Sequence, residues 1–396
     1  MDKSSSREVV FTSRDTLIMA LLMVVAYMAL GVAPILYGDL LIAGRVNAVQ
    51  LSHVAAADYL SVGLASLFAP RFFSLSNVRR TAIIGVLLNT FGNFWSTQLS
   101  SEWLIAGRLV AGAGGGILIW LQYEFVARNA RAERLSGLYL AAYVGSAVVV
   151  STLASDVLVP RYGVNAVFAS MGVAALVTGF AVLYGPKRMA PIEHSTETPG
   201  DHIERLTMPF AAILALLSVF FINAFTATLW IYFEPITAAA NIPKSTSDLA
   251  AILSLVLQGG GAILAAMIAH RVRFLPVLIV CSVIYILQAM YILWGHLTIP
   301  GFLMFSLVFG GLGYFMVPFQ IALSAHCDPR RRAVSIFAVP VVLGAGFGPL
   351  ISSLTISDSD VSAGVTIALI CSVLSFMALI CAAGLGRTRP QRVPVA

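Results

Sequence analysis

The stretch 102–139, EWLIAGRLVAGAGGGILIWLQYEFVARNARAERLSGLY, decides how the rest of the chain is read. It opens with about 24 residues that are almost all apolar or small, enough to cross a bilayer as a helix. Inside it stands Arg108, followed by Gly112, Gly114, Gly115 and Gly116. An arginine in hydrocarbon is costly and is kept only beside a partner or a water-filled cavity. The glycines remove side chains and let a neighbouring helix come close. Glu124, Arg128, Arg131, Glu133 and Arg134 then close the stretch, and such a basic tail marks a cytoplasmic end.

The whole chain repeats that character. Of its 396 residues 59% are hydrophobic and 11% charged, whereas soluble domains carry about 25% charged residues. The composition predicts an all-α polytopic membrane protein, since only helices or closed barrels satisfy the backbone in lipid. The net charge of +6 sits in short loops between apolar runs. It speaks to topology and anionic headgroups rather than to nucleic acid. Cys281, Cys327, Cys371 and Cys381 form no CxxC pair and read as small packing residues.

Twelve apolar spans follow, at about 16–36, 49–68, 81–99, 103–126, 135–158, 165–184, 207–233, 247–269, 274–294, 300–324, 333–354 and 362–385. The first is too long for a signal sequence and lacks its cleavage site. With both termini in the cytoplasm, 20 of the 24 Lys and Arg fall on inner segments. Arg45, Arg161 and Lys244 fall outside and Arg108 within the membrane. The expected location is therefore a cell (inner) membrane, crossed many times. The polar run 185–204 cannot form a core and reads as a linker. It divides the chain into a six-helix bundle over 1–184, a cytoplasmic linker over 185–206 and a second bundle over 207–396. The halves echo one another: Gly112, Gly114, Ser136 and Gly145 recur 199 positions later as Gly311, Gly313, Ser335 and Gly344.

Twelve spans, a central linker and repeating halves resemble the major facilitator superfamily of secondary transporters. Arg108-x-x-x-Gly112-x-Gly114 is similar to the family's fourth-helix motif, and Tyr123-Glu124 with Arg134 to the pattern at that helix's end. The resemblance implies two packed six-helix bundles, alternating access, and a central-cavity arginine at Arg108 that takes part in proton coupling. Two motifs depart from the family. The loop after the second span, 66–80, has neither the aspartate nor the glycines of G-x-L-A-D-R-x-G-R-R and keeps Arg71, Arg79 and Arg80. In the fifth span Gly145-Ser146 stands where antiporters carry Gly-Pro. The eleventh span does carry Gly346-Phe347-Gly348-Pro349.

Residue types then suggest roles. Asp58 lies near the bilayer midplane, about nine residues into its span. Burial favours a neutral carboxylate and a neighbouring cation a charged one, so a balanced group can load and unload a proton. The plain alternative is a structural pair with Arg108, whose depth differs by roughly 5–6 Å. Glu124 and Arg128, at i and i+4, read as a surface ion pair or as a cytoplasmic gate with Arg71, Arg79 or Arg80. Gly112, Gly114, Gly115, Gly346 and Gly348 read as helix-packing positions. Asn223, Gln258 and Gln320 read as hydrogen bonds between helices or as cavity walls. Ser245 and Asp248 form a capping-box pattern. Glu234, beside aromatic residues, is expected at the interface and outside the cavity.

No metal-ligand spacing, phosphate loop or catalytic nucleophile pattern appears, so no cofactor, metal or catalytic site is expected. The expected partners are a small-molecule substrate, the lipid bilayer and protons, acting on a monomer. The leading reading is a proton-coupled transporter of a small organic solute, export slightly favoured. A uniporter, an exchanger, an uptake symporter, or a non-transporting receptor or scaffold are its alternatives.

Overall fold

The computed structural model describes residues 12–129, 132–189, 208–269, 271–328, 332–356 and 362–387. Among these every regular element is helical. Span 1 is Ser13–Gly31 continued by Ala33–Ile42. Spans 2 to 4 are Ala48–Phe72, Val78–Ser96 and Trp103–Ala127. Span 5 is Ala132–Leu153 extended through a π turn to Tyr162, and span 6 is Asn165–Val182. Span 7 is Phe210–Ile231 with Phe233–Ala239, span 8 Lys244–Ile268 and span 9 Phe274–Trp294. Span 10 is Ile299–Phe315 with Val317–Cys327, span 11 Arg332–Ser335 with Ala338–Ser352, and span 12 Ser362–Arg387.

Nine of these helices are individually long and apolar enough to cross a bilayer, and the bent pair of span 10 makes ten. Span 3 falls short because Arg79, Arg80, Asn89 and Asn93 dilute it. Span 11 falls short because its main helix has only 15 residues. Both lie among neighbours that complete their burial. The breaks have a common cause. Pro34 follows the break at Val32 and Pro318 the break at Met316, each removing a backbone donor. Pro160 likewise follows the π turn Ala154–Leu158 of span 5.

Span 4 is the hub of the first six, packed on spans 2 and 3 and touching span 1. Its glycines are the reason. A Cβ added to Gly114 would stand 2.4 Å from the Asn89 nitrogen of span 3. One added to Gly112 would stand 1.9 Å from Ser61 Oγ of span 2. In the second six, span 10 packs on span 8 in the same way. There the close approach is made by Gly310, opposite the Ser254 carbonyl. Gly311, the repeat partner of Gly112, faces open space. The halves meet reciprocally: span 2 lies on span 11 and span 5 on span 8. Since spans 2 and 8, and 5 and 11, are repeat partners, this is the contact pattern of a pseudo-two-fold axis.

By the alternation of the spans, the start of span 1, the loop 73–77, the segment 183–189 and the end of span 12 lie on one side, the basic face. The opposite side is the far face. On the far face Arg45 ties three loops together, donating to the Ser96 carbonyl at 2.7 Å, to the Leu99 carbonyl and to Asn165 Oδ1.

Candidate functional site

Arg108 and Asp58 are each 1% exposed. The guanidinium grips the carboxylate from two sides: Nε lies 2.8 Å from Oδ1 and 2.9 Å from Oδ2, and Nη2 lies 2.8 Å from Oδ1. The remaining groups are also satisfied. Arg108 Nη1 donates to Asn93 Oδ1 at 2.8 Å, and Tyr37 Oη donates to Asp58 Oδ2 at 2.5 Å. Asn93 Nδ2 donates to Asn89 Oδ1 at 3.0 Å, and Asn89 Nδ2 to the Ala111 carbonyl at 3.0 Å. The Phe168 ring lies 5.4 Å from the guanidinium carbon, a cation–π distance.

Spans 1, 2, 3, 4 and 6 thus converge on one buried ion pair. The resemblance implies a central-cavity arginine. Here Arg108 is buried, and its partners Asp58, Asn93 and Phe168 all belong to the first six spans. A fully paired, desolvated network of this kind is costly to break, because removing one partner strands the other charge.

A tyrosine cluster stands between the halves. Tyr27 and Tyr123 hydroxyls are 3.5 Å apart, and the Tyr27 and Tyr143 rings 5.4 Å. Tyr143 meets Tyr314 of span 10 edge-on at 6.5 Å. Tyr123, near the basic end of span 4, is 48% exposed. Trp120 and Phe319 are buried. Asn223 donates to the Val219 carbonyl of its own helix at 2.8 Å, Gln258 is half-buried beside Gly313, and Gln320 is buried.

Glu124 is paired with Arg128, as its spacing suggests, and also accepts from Trp120 Nε1 at 3.1 Å. Arg71 and Arg80 are exposed, and among the described residues neither makes an ion pair with Glu124. Gly346 packs on Leu60 of span 2, and Gly348 on the Ala224 carbonyl of span 7. Gly115 faces the Ala26 carbonyl of span 1.

The sequence reading missed a cluster on the far face. Lys244 Nζ lies 3.2 Å from Asp39 Oδ1 and 2.7 Å from Asp248 Oδ2. It therefore joins span 1 to span 8 across the halves. Asp248 belongs to this pair and not to a capping box: the helix starts at Lys244 after Pro243, with no side-chain cap, so Ser245 is already inside it. Glu234 is 6% exposed and packs against Gly38, not at an exposed interface. Asp39 Oδ2 and Glu234 Oε2 are buried without a hydrogen-bond partner. Below the cluster Ser52 bonds Tyr232, and Trp230 Nε1 donates to the Leu30 carbonyl at 3.2 Å, both between the halves. In sequence only Glu234 and Asp248 lie near Lys244, and Asp39 stands about two hundred positions away, so nothing along the chain marks the cluster.

No protein-family model matches the sequence, and no curated protein matches it. Solved structures match its shape. A D-xylose–proton symporter superposes with a TM-score of 0.74 at 14% identity, over 96% of this chain and 99% of that one. A nucleoside transporter gives 0.70 at 12%, over 93% and 99%. The inward-open xylose transporter from E. coli gives 0.71 at 14%, over 95% of each. The chain is a multi-pass membrane protein with the fold of the major facilitator superfamily transporters.

Proposed function

We propose that the protein is a secondary active transporter that moves a small organic solute by alternating access, coupled to protons through Asp58 and Arg108. The observation that carries this reading is the buried Tyr37–Asp58–Arg108–Asn93 network in a membrane-spanning fold. An intramembrane ion pair is a functional candidate by default. Proton loading on Asp58 would release Arg108, and the change would pass to the solute path through Tyr59 and the tyrosine cluster. The first division of labour proposed is a bundle over 1–184, a linker over 185–206 and a bundle over 207–396. Proteoliposomes with an imposed pH gradient and a panel of solutes test the activity. Accumulation that follows the gradient supports the reading, and none with any solute opposes it.

The scarcity of charged residues within the spans favours export. The tyrosine hydroxyls favour a second reading, uptake of a neutral hydroxylated solute with a proton. The likeness to xylose and nucleoside transporters supports the same solute class. The direction of gradient-driven flux separates the two. Glu124, Arg128, Arg71 and Arg80 are proposed to latch the basic face when it closes.

The basic face is proposed to be cytoplasmic. In a cysteine-free background, Ser195→Cys in the linker is expected to react with a membrane-impermeant maleimide only after the membrane is opened. Labelling in intact cells would reverse the orientation.

The far-face cluster is proposed to be the outer gate. Lys244→Gln leaves the buried Asp39 carboxylate unpaired and removes the tie between spans 1 and 8. The expected result is a severalfold rise in maleimide labelling of Ser52→Cys, which lies beneath the cluster. Unchanged labelling would show that Lys244 does not hold the halves together.

A further inference from the structure

Of the four cations where span 3 meets the end of span 6, Arg79, Lys187 and Arg188 have no place in the transport cycle proposed above, and Arg80 enters it only as part of the latch. The segment 185–189 turns back over the turn that leads into span 3 and is clamped there by its backbone. Val78 N donates to the Lys187 carbonyl at 3.1 Å and Met189 N to the Leu75 carbonyl at 2.9 Å. Arg79 Nη2 donates to the Gly185 carbonyl at 2.7 Å. This clamp sets Lys187 and Arg188 beside Arg79 and Arg80 around a shallow cavity of about 430 Å³ with Ile83 and Ile84 in its wall.

Several features of the cavity point to an anion. Four positive charges line it, and among the described residues no acid does. Arg79 Nε is buried without a hydrogen-bond partner. The first turn of span 3, a 19-residue helix, has no side-chain cap, so its amide donors and dipole add to the positive field. The loop that leads here lacks the aspartate of the related motif, so it brings Arg79 and Arg80 with no acid of its own.

The surroundings say which anion. Leu87 on span 3, Phe180 on span 6, and Leu183 and Tyr184 just past the end of span 6 are exposed apolar residues. A seam with apolar side chains along the helices and a cationic pocket at their basic-face end matches a phospholipid, with acyl chains along the helices and the headgroup among the cations. We propose that this pocket binds the phosphate headgroup of an anionic phospholipid at the seam of spans 3 and 6.

The test uses the full chain purified in a neutral detergent, with melting temperature read as phosphatidylglycerol, phosphatidylcholine or sodium phosphate is added. Phosphatidylglycerol is expected to raise the melting temperature saturably, and the other two at matched concentration are not. A triple variant, Arg80→Gln with Lys187→Gln and Arg188→Gln, is expected to raise the half-saturating concentration by at least about tenfold. All three side chains are exposed, so the fold should survive. If it does not, Arg188→Glu alone is expected to weaken the response severalfold. A charge-matched triple on the same face, Arg14→Gln with Arg71→Gln and Arg273→Gln, is expected to respond like the parent. Equal loss in both triples would mean diffuse attraction to charge, and no loss in either would mean binding elsewhere. A full response to sodium phosphate would make this a free-anion site. Each of these three results overturns the proposal.

Discussion

Asp58→Asn is expected to abolish solute accumulation driven by a pH gradient while leaving exchange of solute across the membrane. Asparagine keeps the size and the hydrogen bond to Tyr37 but cannot titrate. The substitution also strands the Arg108 guanidinium, which is held by Asp58 on Nε and Nη2 and by Asn93 on Nη1. Stranding a buried charge costs about 3–5 kcal/mol, so loss of activity in the single variant has two causes to separate. The double variant Asp58→Asn/Arg108→Gln removes both charges and both desolvation costs. If the pair is structural, the double variant recovers stability and accumulation together. If the pair carries the proton, the double variant recovers stability and still fails to accumulate solute against the gradient. Arg108→Ala is expected to be worse than Arg108→Lys, because lysine retains a cation for Asp58. Parent-like accumulation by Asp58→Asn would remove the proton from the proposed mechanism.

The second large effect is expected on folding. Gly114→Leu is expected to prevent assembly or to lower the melting temperature in detergent by many degrees. A Cβ there meets the Asn89 nitrogen at 2.4 Å and the Gly85 carbonyl at 2.5 Å, both backbone atoms that no rotamer change can move. Overpacking against side chains costs about 1–3 kcal/mol, and here a helix must shift. The shift would carry Asn89 with it and so disturb the Asn89–Asn93–Arg108 chain. Gly145→Leu is the control, since nothing lies within 4 Å of an added Cβ at Gly145. Melting curves and size-exclusion profiles of the two variants should separate clearly. A stable Gly114→Leu protein would mean that spans 3 and 4 do not approach as closely as described.

The sequence alone determined the membrane class and the succession of apolar helices, and it carries the expectation of which side the basic loops take. These follow from quantities that run along one dimension: apolar length against bilayer thickness, and the placement of Lys and Arg. The depth of Asp58 and of Arg108 could be counted in the same way. What surrounds a residue at that depth could not be counted. Tyr37 reaches Asp58, and Asn93 and Phe168 reach Arg108, from three other spans, and helix tilt and rotation, set by contacts such as that of Gly114 on Asn89, decide it. The same limit explains Gly310 in place of Gly311, since one residue on a helix turns a side chain by about 100°. It also explains Lys244: only the closure of spans 1, 7 and 8 at the far face brings it to Asp39. Arg80 likewise reads in the sequence as a gate candidate, and only the fold of the segment 185–189 over span 3 sets Lys187 and Arg188 beside it. Depth is written in the order of residues, whereas neighbours across the bundle depend on how the helices pack.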